Sequence, residues 1–110
     1  MEITTRDHKR ANVIRVTGSV DAKTSTELET KLKEYLEAGH YNLILEMDGV
    51  SFLSSAGIRT IITTQRTAKA HNGALVIAQP SENVREVLNL AGLETVLPVF
   101  NSTEDALGQV

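Results

Sequence analysis

Cysteine is absent from the 110 residues, which removes disulfide frameworks and thiol chemistry together. Such a chain fits a reducing compartment. A basic block is missing too: the densest cationic stretch, Arg6 to Arg10, is broken by Asp7, and the formal net charge is −3. Direct nucleic-acid binding calls for a cationic surface and is therefore disfavoured. No apolar run approaches the roughly 20 residues of a membrane span. The opening residues, Met1 to Thr5, lack the charged and apolar regions of a signal peptide, so a cytoplasmic protein is expected. Internal repeats and low-complexity stretches are lacking. With ordinary hydrophobic (41%) and charged (23%) content, residues 1–110 read as a single domain with one core.

The signatures of catalysis are also missing. A serine-hydrolase elbow would read Gly-x-Ser-x-Gly, but Leu53 stands two residues before Ser55. His8, His40 and His71 fall in loops or at helix ends, with no carboxylate at triad spacing. No His, Cys or carboxylate pair shows metal-ligand spacing, and no Gly-rich loop with lysine is present for nucleotide phosphates. Neither an enzyme nor a metal or cofactor is expected.

What is present is alternation of strand and helix. Asn12 to Thr17 alternates with strand periodicity, and Ile3 to Arg6 pairs with it across an Asp7–Ala11 loop. Thr24 and Glu27 match a capping box for a helix over Ser25–Ala38, whose Leu28, Leu32, Tyr35 and Leu36 share one face. Asn42 to Met47 has the continuous apolar centre of a strand buried on both faces, and Asp48-Gly49 is expected to turn the chain. The next helix places Ile58, Ile61 and Ile62 inward and stops at Asn72-Gly73. Ala74 to Ala78 is a further buried strand. A helix with Val84, Val87, Leu88 and Ala91 aligned follows, ended by Gly92. Val96 to Phe100 suits a short edge strand, and Thr103 to Leu107 a last helical turn. Each main helix is expected to end in a glycine (Gly39, Gly73, Gly92). This order predicts an α/β fold with a mixed sheet of four or five strands and helices packed against it.

The most informative stretch runs from Val50 to Ile58. An apolar segment enters two hydroxyls, Ser54 and Ser55, then Ala56 and Gly57, then an amphipathic helix. Helix starts leave N–H groups without partners at the positive end of the dipole, so a phosphate there is stabilised. A serine in this place usually just caps the helix. Here there are two where one cap suffices, and Ala56 and Gly57 leave the backbone open to a partner enzyme. Asp21, at the end of the second strand, is expected near Ser55 across the sheet edge, either as an ordinary turn or near-cap acid, or to orient the hydroxyl or repel a phosphate added to it. Arg59, Thr63 and Arg66 fall at i, i+4 and i+7 opposite the isoleucines, as a solvated face or a docking surface.

These residues, with Leu43-Ile44-Leu45 and Gly18 to Asp21 before them, resemble the STAS domain, and more narrowly the bacterial anti-sigma factor antagonists. The resemblance implies a STAS-type fold over nearly the whole chain. It implies a phosphoacceptor at Ser55, with Ser54 the second choice because it replaces the aspartate that usually precedes the acceptor. Asp21, Ser54, Ser55, Ala56, Gly57, Arg59, Thr63 and Arg66 are then the expected partner surface. The implied partners are an anti-sigma factor that is also a serine kinase, and an opposing serine phosphatase. A STAS subunit of a membrane transport or stress-signalling assembly is the alternative; oligomeric state is left open.

Overall fold

The structure is a computed structural model describing residues 1–110. Its elements run β1 (Glu2–Asp7), β2 (Asn12–Val20), α1 (Thr24–Glu37), β3 (Asn42–Leu53), α2 (Ser55–Ala70), β4 (Ala74–Ala78) and α3 (Glu82–Leu90). A 3₁₀ turn (Leu93–Thr95), β5 (Val99–Phe100) and α4 (Thr103–Leu107) complete it. The five strands form one sheet in sequence order, with only β1 antiparallel to its neighbour. The expected hairpin, helices and mixed sheet are all present. No helix is long and apolar enough to cross a membrane.

Period-two alternation sorts β3 between two cores. Leu43, Leu45 and Met47 join Ile14, Val16, Leu75 and Ile77 beneath α1, α2 and α3, which contribute Leu28, Leu32, Ile61, Val84 and Leu88. Ile44 points the other way, into a smaller cluster with Val13, Val76, Ala78 and Ala106 of α4. Each fully buried leucine or isoleucine contributes about 1.5–3 kcal/mol, so the three-helix face dominates stability.

Glu46 shares the face of Ile44 and is almost wholly buried. Arg6 Nη1 and Nη2 donate to its two oxygens at 3.1 and 2.8 Å, and the Thr103 hydroxyl donates to Oε2. The paired bonds from Arg6 hold the Glu46 carboxyl below its ordinary pKa, against the opposing effect of burial. Arg15 lies 3.8 Å from Glu46 and forks onto Asp48 at 2.7 and 3.2 Å. This chain of charges fastens the short α4 across the second face.

The structure corrects three local expectations. Asp48-Gly49 does not turn the chain; β3 continues to Leu53 because β2 continues beside it to Val20. Thr17 faces Gly49 although Arg15 faces Glu46, and Ser19 faces Phe52 although Gly18 faces Val50. Two bulges on β3 thus absorb one extra residue each and bend its end toward α2. At the end of α2, Asn72 rather than Gly73 takes the left-handed conformation (φ 63°). Gly73 is required for closeness instead, since a Cβ there would stand 2.1 Å from the Tyr41 carbonyl oxygen. Finally, β5 holds only Val99 and Phe100; Val96 and Leu97 instead close the end of the 3₁₀ turn, donating to Leu93 O at 3.0 and 2.9 Å, and Pro98, unable to donate, accepts from Ile77 N–H at 2.9 Å.

Candidate functional site

The ends of β2 and β3 meet at the Val20–Leu53 pair, and the next residue's N–H, that of Ser54, donates to Val20 O at 2.8 Å. That bond carries the strand geometry into the first turn of α2. Ser54 has extended backbone (φ −80°, ψ 166°) and is the N-cap, its Oγ accepting from Gly57 N–H at 3.1 Å. Ser55 is the first helical residue, and its side chain is exposed. The two hydroxyls therefore divide the work: one closes the helix end and the other faces solvent. No acid lies in this first turn to offset the positive end of the dipole.

Asp21 follows Val20 directly, which sets it beside the serine turn. Lys23 and Thr24 N–H groups donate to its Oδ1 at 3.0 and 2.8 Å, and the Asp21 N–H donates to Thr24 Oγ1 at 2.8 Å. Hydrogen bonds from Thr24, first its backbone and then its hydroxyl, hold the Asp21 carboxyl below the usual range, so it is ionised at neutral pH. The reciprocal box at the start of α1 is thus Asp21 with Thr24, three residues earlier than Thr24 with Glu27, and the helix begins at Thr24. These bonds keep the carboxylate within its own turn. Toward Ser55 it offers charge, not a hydrogen bond that orients the hydroxyl.

Parallel strands β2 and β3 ending together on a serine turn, Ser54 capping the helix and Ser55 exposed, make a specific arrangement, and the STAS domain family profile matches the chain over residues 2–106. The chain belongs to the STAS domain family. Among its relatives, BtrV of Bordetella bronchiseptica, named as a candidate anti-sigma factor antagonist, is 29% identical over 89 residues, covering 81% of this chain and 77% of BtrV. RsfB of Mycobacterium tuberculosis, named an anti-sigma-F factor antagonist, is 27% identical and covers 96% of this chain and 85% of its own. In fold, the chain is similar to the Bacillus protein SpoIIAA, solved both unphosphorylated and phosphorylated. The TM-scores are 0.84 and 0.76 at 22% and 21% identity. Coverage of this chain is 98% in both cases, and of SpoIIAA 95% and 98%.

Around the serines of this STAS domain the expected docking residues fall into two groups. Ser55, Arg59, Thr63 and Arg66 are exposed along one side of α2, and Asp21 is exposed at the adjoining turn, while Ser54 and Ala56 are half-buried. Gly57 departs from expectation: it is buried, and its bareness serves the interior. A Cβ there would lie 2.8 Å from both Val20 Cγ1 and Leu53 Cδ1, so glycine lets the helix start press against the strand ends. Phe52 belongs with these residues. It precedes the serine turn with 52% of its surface exposed, on a segment held from behind by Asn83, which donates to Ser51 O at 2.8 Å. An aromatic outside an alternating strand pattern, next to a special turn, was the available signal.

Proposed function

We propose that this STAS domain is an anti-sigma factor antagonist whose docking is switched by phosphorylation of Ser55. The unphosphorylated form binds an anti-sigma factor that is also a serine kinase and so frees a sigma factor. Phosphorylation by that kinase ends the interaction, and a serine phosphatase restores it. The protein works in the cytoplasm by binding rather than by catalysis. The observation that carries this reading is the unequal pair at the head of α2: Ser54 committed to its cap, Ser55 exposed. The names of BtrV and RsfB support the pathway.

Physical chemistry explains how one group can act without unfolding the domain. A phosphate carries about −1.5 to −2 charges at neutral pH. At the start of α2 it gains roughly 0.3–1 kcal/mol from the helix dipole. Arg59 stands four residues on, the spacing at which an anion and a cation pair along a helix. The domain thus accommodates the charge, while a partner burying it without a cation of its own loses several kcal/mol. At about 1.4 kcal/mol per tenfold, affinity falls a hundredfold or more. Binding of the cognate kinase to Ser55→Ala and Ser55→Asp tests this, together with mass mapping after incubation with ATP. The alanine variant is expected to bind tightly and the aspartate variant weakly; equal tight binding by both, or phosphate on neither serine, overturns the reading.

A further inference from the structure

The outer faces of α2 and α3 carry opposite chemistry. Along α2, Arg59, Ile62, Arg66 and Lys69 recur at i, i+3, i+7 and i+10. Ile62, expected inward and opposite the arginines, thus stands half-buried at the core's edge beside Arg66, and the helix contains no carboxylate. The ion pairs of the molecule lie elsewhere, leaving these three cations unpaired. Beside them opens a groove of about 440 Å³, floored by Ile62, Leu93 and Val96 and rimmed by Arg66 and Lys69. Val96 is 48% exposed there. The groove is built rather than incidental. Buried Gln65 donates through Nε2 to Val96 O at 3.1 Å and accepts at Oε1 from Leu75 N–H at 2.6 Å, which fixes the floor to the sheet.

The outer face of α3 supplies the complement. Its inward stripe is Val84, Val87 and Leu88, whereas Glu82, Glu86 and Leu90 recur at i, i+4 and i+8 on another side. Leu90 is 80% exposed, more than any other large apolar residue. Glu82, Glu86 and Glu94 line one surface depression there with Asn83, Asn89 and a single cation, Arg85, whose Nη2 donates to Asn101 Oδ1 at 3.1 Å, so the patch is acidic on balance. An apolar anchor flanked by acids on one face thus corresponds to an apolar floor flanked by cations on the other.

We infer that a second copy of this chain occupies the groove, Leu90 of one copy seating on Ile62, Leu93 and Val96 of the other, with Glu86 against Arg66. The two patches meet at the 3₁₀ turn, where Leu93, Thr95 and Val96 line the groove and Glu94 lies with the acids. A two-fold axis near that turn satisfies both contacts at once and closes the assembly at two copies. One anchor and a few charges make a small interface, so the pairing is weak and reversible. It also covers Arg66, taking that side chain from any other partner.

Sedimentation velocity of the full chain, carried to about 1 mM in low and in high salt, reads this directly. The expected result is a concentration-dependent shift from monomer to dimer that salt weakens. Leu90→Ser, exposed enough to leave folding unchanged by circular dichroism, weakens association by about tenfold or more. Glu86→Arg and Arg66→Glu each weaken it, and the two together restore it. A monomer at every concentration, a Leu90→Ser variant that pairs as well as the parent, or a double variant no better than the singles overturns the inference. Growth beyond two copies overturns the two-fold arrangement. A groove whose amide signals respond only to added anti-sigma factor assigns it to that partner and overturns the inference as well.

Discussion

Removing Arg6 should cost more than neutralising Glu46, although the two share the same pair of hydrogen bonds. The Glu46 side chain is 4% exposed and that of Arg6 51%. When Arg6 becomes alanine, a buried carboxylate keeps only the Thr103 hydroxyl and the Arg15 guanidinium at 3.8 Å. Stranding one partner of a fully buried pair costs about 3–5 kcal/mol. The half-exposed position of Arg6 lets water replace it, which lowers the figure to about 1–3 kcal/mol. Glu46→Gln leaves an amide that still accepts from Arg6, while the cation rehydrates freely, so it costs nearer 1 kcal/mol. The decisive comparison is therefore the order of mutation. In the parent, Glu46→Gln destabilises; in the Arg6→Ala background it should be neutral or stabilising, because it removes a charge that has lost its partner. Urea denaturation at neutral pH measures all four corners of the cycle. The pH dependence supplies a second check. In the parent, Glu46 has a lowered folded pKa, so its contribution is complete above the unfolded value of about 4.3 and is lost as pH falls through the folded one. Protonation removes the stranded charge as well, so the gap between Arg6→Ala and the parent should close toward pH ~4 and below. An equal cost for Glu46→Gln in both backgrounds would refute the reasoning.

Four smaller expectations accompany it. Ser54→Ala should lose about 1 kcal/mol in chemical denaturation through its missing cap, while Ser55→Ala stays within about 0.5 kcal/mol; equal costs would remove the distinction between the hydroxyls. Gly57→Ala sets a methyl 2.8 Å from Val20 Cγ1 and Leu53 Cδ1, so overpacking of about 1–3 kcal/mol should outweigh a helix gain of at most ~1 kcal/mol. A variant as stable as the parent would show the packing to be looser than described. Gln65→Leu forfeits bonds to Leu75 N–H and Val96 O and should lower the melting temperature by roughly 10 °C or more, read by circular dichroism. Phosphorylation of Ser55 should raise the melting temperature slightly by circular dichroism, and Arg59→Gln should remove most of that rise; an undiminished rise would show that no i, i+4 pair forms.

Elements whose signal is local were legible in the sequence, and features decided across the sheet were not. β4 and α4 stand where apolar runs and turn residues placed them, over Ala74–Ala78 and Thr103–Leu107. Asp48-Gly49 misled because that dipeptide does favour turns. Its fate was decided by β2, more than 30 residues earlier, which offered a ladder through Val20 and converted a turn into a bulge. The cap of α1 slipped by three residues because both Asp21 and Thr24 have capping side chains, and only the end of β2 at Val20 selects between them. Nothing local announced the partners of Glu46, which come from β1 and α4 at separations of 40 and 57 residues. One clue was nonetheless present: a lone acid at an inward step of an otherwise apolar strand has to find a cation or a hydroxyl. At the site, the serine turn was visible as a turn, but which hydroxyl served as the cap depended on backbone angles that residue identities alone do not supply.

That division of labour also bears on which serine a kinase can use. Ser54 holds two bonds of the first turn, its N–H to Val20 O and its Oγ from Gly57 N–H, and it is half-buried. A phosphoryl group on its Oγ would compete with the cap, worth about 1 kcal/mol, and would bring a near-dianion against the packed contacts of Gly57. The same group on Ser55 displaces neither bond and stays in water at the positive end of α2. On the reading proposed above, transfer to Ser54 requires the head of the helix to open first, whereas transfer to Ser55 proceeds on the folded domain. The two routes respond oppositely to a variant that loosens this turn. Gly57→Ala should slow transfer to Ser55 by displacing the turn a kinase must recognise, and it would quicken transfer to Ser54. Site-resolved phosphorylation rates of that variant against the parent distinguish them, and phosphate mapped to Ser54 already in the parent, and labelled faster in the variant, would reverse the assignment of the acceptor.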